Sequence, residues 1–148
     1  MDRLYNNEAF VGCVILNVLK FGAIDMARIA IVLPLLVNDK IRNMLSKHTD
    51  AAVFDKVQHC YSDITLNRVY KEMLPIEINS LVMLSQADLI LVRKDIIALT
   101  DSGLVALKNM KNAGSNRLKK LFIALSGIMS LLDGVSTEQL YKTLNIQL

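Results

Sequence analysis

"DLILVRKDIIALT" (residues 88–100) is where the pattern of this chain changes. On either side of it, apolar residues recur at helical spacing. Here two short aliphatic runs flank Arg93-Lys94-Asp95. Short β-branched and aliphatic runs around a polar turn read as a β-hairpin. The Asn-Gly pair that most favours a tight hairpin is absent, so the reading rests on the change of period. The hairpin is placed from about Leu89 to Leu99, and Thr100 opens a helix over "TDSGLVALKNM".

Upstream of the hairpin the spacing predicts helices. "NEAFVGCVILNVLKFG" carries a stripe of Phe10, Val11, Val14, Ile15 and Val18, with Asn7 as its cap and Gly22 as its end. Asp25 caps a second helix. Pro34 then lacks an N–H and biases Leu33 away from helical angles, so this helix kinks or stops there. A short helix covers Asp39 to Leu45. Thr49 or Asp50 caps the next one, whose stripe is Val53, Phe54, Val57, Cys60, Tyr61 and Ile64. Helical spacing continues to Leu74. Pro75 is read as the first turn of a new helix, Pro75 to Gln86, where a missing N–H costs little. Downstream, "SNRLKKLFIALSGIMSLLDG" is a long helix starting at Ser115 or Asn116 and ending at Gly134, and Ser136 opens a last short one.

The expected fold class is therefore mainly α: one compact helical domain over 1–148 carrying one small β-hairpin. Helix, helix, hairpin, with Leu99-Thr100 and Gly103 closing the second strand, resembles a winged helix. That winged-helix-like module spans about 50–112, with the N-terminal and C-terminal helices packed around it.

Composition narrows the function. Apolar residues make up 53% of the chain and aromatic ones only 5%. Ordinary domains reach about 45–50% apolar even with glycine counted. The excess is aliphatic, and part of it is expected at the surface, where apolar patches mark interfaces. The run Ile29 to Val37 is too short to span a bilayer and is flanked by Asp25, Arg28, Asp39, Lys40 and Arg42. "MDRLYNNEAF" does not read as a signal peptide. A cytoplasmic, soluble chain without membrane partners is expected. Cys13 and Cys60 sit in apolar helical patterns and are read as buried free thiols rather than a disulfide.

No phosphate-binding loop, nucleophile elbow, zinc-protease pair or Cys-x-x-Cys is present. His48 and His59 are the two histidines. His59 adjoins Cys60, but adjacent helical residues diverge and chelate poorly. The expectation is a non-enzyme with no catalytic residue, no metal and no cofactor. The net charge of +3 is weak evidence for nucleic acid. Lys108, Lys111, Arg117, Lys119 and Lys120 cluster without an intervening acid, and Arg93 and Lys94 form the hairpin tip. These seven are the candidate phosphate contacts. Cations near a helix start work against its dipole, by about 0.3–1 kcal/mol, which suits an anionic partner. A base-reading helix needs Arg, Lys, Asn or Gln at groove edges. Pro75 to Gln86 offers only Asn79 and Gln86, so it suits protein better than DNA.

Four features resemble the middle component of three-component ABC-ATPase systems, the Lamassu type of bacterial anti-phage defence. "NEAF" is similar to an Asn-Pro-Ala-Phe start, with Glu8 in place of proline. "RIAIVLPLLVNDKIRNML" (28–45) is similar to an aliphatic run ending in Leu-Pro and followed by an arginine, here Arg42. The hairpin region ending in Leu-Thr precedes a long helix. The tail resembles a Gly-containing helix, a short loop and an ending of tyrosine–leucine–glycine–valine–basic–proline. Here that ending is Tyr141, Leu144, Asn145 and Ile146, with Asn145, Gln147 and Leu148 departing from glycine, the basic residue and proline. The resemblance implies a non-catalytic accessory subunit that bridges an SMC-like ABC ATPase and an effector, often a nuclease, with DNA reached through the complex. Helices around Ile29 to Val37 and Leu121 to Leu132 are apolar nearly all round. Ile31, Leu35, Ile123 and Leu131 are the candidate partner-facing residues. The alternative is a winged-helix DNA-binding transcription regulator.

Overall fold

The computed structural model describes residues 8–47, 50, 52–60, 63–110 and 116–147, without the side chains at 60, 63–65 and 117. Among them the chain is mainly helical with one small antiparallel sheet. The order is α1 (Glu8–Leu19), β1 (Ile24–Asp25), α2 (Met26–Val37), α3 (Asp39–Ser46), α4 (Val53–Cys60), α5 (Asp63–Gln86), β2 (Ile90–Arg93), β3 (Ile96–Leu99), α6 (Asp101–Asn109), α7 (Asn116–Asp133) and α8 (Thr137–Thr143).

The hairpin lies where the change of period placed it. Ile90 pairs with Leu99 and Arg93 with Ile96, across a two-residue loop of Lys94 and Asp95. Lys94 has φ 55, a left-handed angle at the first loop position. The sheet has a third strand that short spacing hid. β1 pairs Ile24 with Ile97, giving the order β1-β3-β2. Residues well before 50 thus complete the sheet, and α1 packs along α5.

Local chemistry fixes the ends of the helices. The Asp25 carboxylate accepts from the Arg28 N–H at 2.8 Å, and Thr100 Oγ1 accepts from the Gly103 N–H at 3.0 Å. Ser136 and Gln139 form a capping box. The Ala52 N–H donates to Asp50 Oδ1 ahead of α4. Asn7, Thr49 and Ser115, the other expected caps, lie outside the described residues. α5 ends on a Schellman motif: Asp88 N–H donates to Ser85 O, Leu89 N–H to Leu84 O, and Asp88 takes φ 60. The turn delivers the chain straight into β2. Gly103 is required beside it, because a Cβ there would stand 2.1 Å from the Leu89 carbonyl oxygen.

Both prolines lie inside helices: of the kink or stop expected at Pro34 the stop does not occur, and the new helix expected to open at Pro75 is corrected to one continuous helix. α2 continues through Pro34 to Val37, and α5 is one helix through Pro75. An internal proline costs about 3 kcal/mol. Each buried aliphatic side chain contributes about 1.5–3 kcal/mol. Ile31, Val32, Leu33, Leu35, Leu36 and Val37 are all buried around Pro34, so burial outweighs the lost bond. Around Pro75, Tyr70, Met73, Leu81 and Leu84 hold one inward face across the proline.

The C-terminal part is tied to α2 by side chains. Arg28 donates to the carbonyls of Val135, at 2.9 Å, and Leu132. Tyr141 donates to Ala27 O at 2.6 Å and stands edge-on to Tyr70. Arg42 is buried and donates to Leu36 O and to Asp39, holding the α2–α3 corner. Cys13 is a half-buried free thiol whose pKa burial pushes up. No helix among the described residues is long and apolar enough to cross a membrane.

Candidate interaction surface

Between Pro75 and Gln86 the only charged residue is Glu77. A helix lying on a core normally turns its charges outward and its aliphatic side chains inward. This half of α5 turns Leu81 and Leu84 inward in that way, but it also buries its one charge and leaves other aliphatic side chains outside. Glu77 is 2% exposed, whereas Ile78, Val82 and Met83 are 56%, 49% and 45% exposed. Glu77 Oε1 has no hydrogen-bond partner, and burial pushes the carboxyl pKa up to about 8. Ser80, beside it on the inward face, bonds back to Ile76 O at 2.8 Å and lies 3.0 Å from Glu8 O.

The outward ridge of α5 borders a shallow apolar groove of about 300 Å³, whose lining includes Ile78, Leu81 and Val82, with Met26 and Val92 across from them. β2 starts at the end of α5, where the Leu89 N–H donates to Leu84 O, and runs past the groove through Val92. The hairpin loop therefore lies away from the Gln86 end, beside Met26, whose N–H donates to Asp95 O at 2.7 Å. Arg93, Lys94 and Asp95 are exposed there. At the opposite end stand the exposed Asp88 and Asp101, joined through Thr100, whose Oγ1 donates to Asp88 O at 2.5 Å. The groove is thus apolar and uncharged along its length, mixed but net basic at one end, and acidic at the other.

A second candidate surface lies on α7, where one exposed aliphatic side chain stands in a largely polar cleft. Ile123 is 81% exposed and lines a cleft against α3 with Asp39, Arg42, Lys120 and Gly127. The two surfaces share no lining residue.

The four expected partner-facing residues divide. Ile123 is outward. Ile31, Leu35 and Leu131 are 2%, 1% and 7% exposed and belong to the interior, which corrects their outward assignment. α2 is apolar nearly all round because it is enclosed, with α1, α3, α5, α7 and α8 all packed against it. Leu131 faces inward with Ile128 and Leu132, which are fully buried.

The five candidate phosphate contacts whose side chains are described do not share one cleft. Arg93 and Lys94 are at the hairpin tip, and Lys119 and Lys120 are exposed in the first turns of α7. Lys108 lines a different cleft, beside Lys20, Leu104 and Phe122. Lys111 and the Arg117 side chain lie outside what is described, as does His48; His59 is exposed. No group of three or more metal-ligating side chains occurs among the described residues. Ile78, Val82 and Met83 were not singled out from the sequence as exposed side chains. Their signal was a run of aliphatic residues without Arg or Lys. No protein-family model, curated protein or solved structure matches this chain.

Proposed function

We propose that this chain is a non-catalytic, protein-binding subunit that bridges other chains through exposed aliphatic side chains. The observation that carries the reading is the uncovered aliphatic ridge of α5, uncharged where a base-reading helix would present Arg or Lys. Contiguous apolar surface rimmed by polar residues is the usual mark of a protein interface. Ile123 supplies a second, separate surface, as a bridge requires. Binding costs about 4–15 kcal/mol in lost freedom, more than a few half-exposed side chains return at about 1.5–3 kcal/mol each when fully buried. Association through both surfaces, or with further polar contacts, is therefore part of the reading.

The partners are those of the resemblance: an SMC-like ABC ATPase and an effector, a nuclease in many such systems, in a cytoplasmic bacterial defence complex. One departure from the family pattern is physically conservative. Asn145, where the family has glycine, takes φ 53 as the residue after the α8 C-cap. Its N–H donates to Lys142 O and the Ile146 N–H to Tyr141 O, a Schellman ending. Asparagine is the side chain that best replaces glycine at such an angle.

The test is co-expression of the tagged chain with the SMC-like ATPase of the same genome. The parent chain is expected to retain the ATPase through stringent washing, and Ile123→Glu to lose it while melting at the same temperature. A parent chain that never retains the ATPase overturns the assignment of partner.

A further inference from the structure

The ridge and groove of α5 have a property that narrows what can cover them. A helical ridge, Ile78 and Val82, runs beside a trough walled by Met26 and Val92. A surface made of a ridge beside its own trough fits a copy of itself turned through a two-fold axis. Each ridge then enters the other's trough, as closely packed helices require. No charge lies along the ridge, so two copies meet without like-charge repulsion.

The ends of the groove decide the direction. Among the exposed side chains at the hairpin end, Arg93 and Lys94 outnumber Asp95, two positive charges to one negative, and the half-buried Asp25 behind them is offset by the half-buried Arg28. At the Gln86 end stand Asp88 and Asp101. The approach with the two α5 helices antiparallel places the basic hairpin tip of each copy against the acidic end of the other, twice over. A parallel approach would set acid on acid and base on base. Two-fold pairing of one patch with itself is the commonest symmetry among soluble oligomers.

We infer that the occupant of this groove is a second copy of the chain, packed as an antiparallel α5–α5 pair across a two-fold axis. This rests on the proposed protein-binding role only in taking the α5 face as an interface. It assigns that face to self-association and leaves the Ile123 surface of each copy for another protein. A two-fold pair presents that surface twice, which is a direct way for a small chain to join two larger ones.

The patch is small, so the dimer is expected to dissociate at about micromolar concentration, at the weak end for specific interfaces. Sedimentation velocity of the full chain across a concentration series reads it directly. The parent chain is expected to pass from monomer to dimer as concentration rises. Val82→Glu brings like charges together at the pair and is expected to weaken the dimer at least about a hundredfold. Ile78→Lys, at a more exposed position, should do the same and serves if the first variant folds poorly. Ile123→Glu should leave the dimer intact. Lys94→Glu should weaken it severalfold at low salt, and adding Asp88→Lys should restore it, a recovery that loss of fold cannot mimic. A parent chain that stays monomeric throughout, or folded Val82→Glu and Ile78→Lys chains that dimerise as the parent does, overturns the inference. A monomer that still retains the ATPase overturns this inference alone; a dimer that never retains it overturns only the assignment of partner.

Discussion

Replacing Glu77 by glutamine isolates the effect of one buried carboxyl on stability. Glu77 is 2% exposed, and its Oε1 has no partner. Burial raises its pKa from the ordinary 4.5 to about 8. Between those values the folded chain holds a proton that the unfolded chain has released. The sign follows: this group's stabilising proton is fully retained below about pH 4.5, and the stability it gives is lost as the pH rises through about 8. One pKa unit corresponds to about 1.4 kcal/mol, so between about pH 5 and pH 8 this carboxyl should withdraw on the order of 3 kcal/mol from the folded state. Tyr141, within electrostatic reach, does not interfere, because burial and its bond with Tyr70 push its hydroxyl well above the ordinary value. Glu77→Gln keeps the shape and carries no charge at any of these pH values. Its buried amide has a cost of its own, but that cost is constant with pH and cancels from the trend. Urea unfolding at several pH values is the assay. The variant should gain on the parent by about 3 kcal/mol from low to high pH. A difference between the two that stays constant across this range would refute the buried-carboxyl argument.

Gly103→Ala should destabilise the chain by about 3 kcal/mol, because the new methyl would meet the Leu89 backbone oxygen, which no rotamer change can move. Thermal melting checks this, and an unchanged melting temperature would mean the α5–β2 turn is looser than described. DNA binding should be weak, indifferent to sequence and steeply salt-dependent; reversing Arg93 and Lys94 to Glu should lower the slope of log affinity against log salt by about two. Tight, sequence-selective binding at physiological salt would favour the transcription regulator instead.

The parts of the fold that were legible are those fixed by local chemistry. The hairpin showed itself in the shift from helical to extended spacing around Arg93-Lys94-Asp95. The Asp25, Thr100 and Ser136 caps followed from side chains that satisfy free N–H groups. Pro75 misled, because a local cost of about 3 kcal/mol is small beside the burial of the helix around it, and the same balance carries α2 through Pro34 without a stop. β1 was hidden by its length, since two residues carry no periodicity. Ile31, Leu35 and Leu131 misled for another reason. A helix that is apolar all round is either enclosed or shared with another chain, and only tertiary neighbours distinguish the two. For α2 they enclose it.

The excess of aliphatic residues is therefore divided between the interior and several exposed faces, and on α5 the division argues for association. α2 absorbs its share into the interior. The second half of α5 carries its share outside, above a carboxyl held inside. Had this face been arranged for permanent contact with water, exchanging the positions of Glu77 and Ile78 would satisfy both side chains: the carboxylate would be hydrated and the isoleucine buried, worth about 1.5–3 kcal/mol for the isoleucine alone. The observed arrangement gives up that stabilisation in the isolated chain. A second chain covering Ile78 and Val82 recovers the apolar part of it, because those side chains then leave water as well. An exposed charge at 78 would oppose such cover, whereas a carboxyl on the inward side does not touch it. The inversion along α5 is costly for a solitary domain and suited to one that works while attached to another.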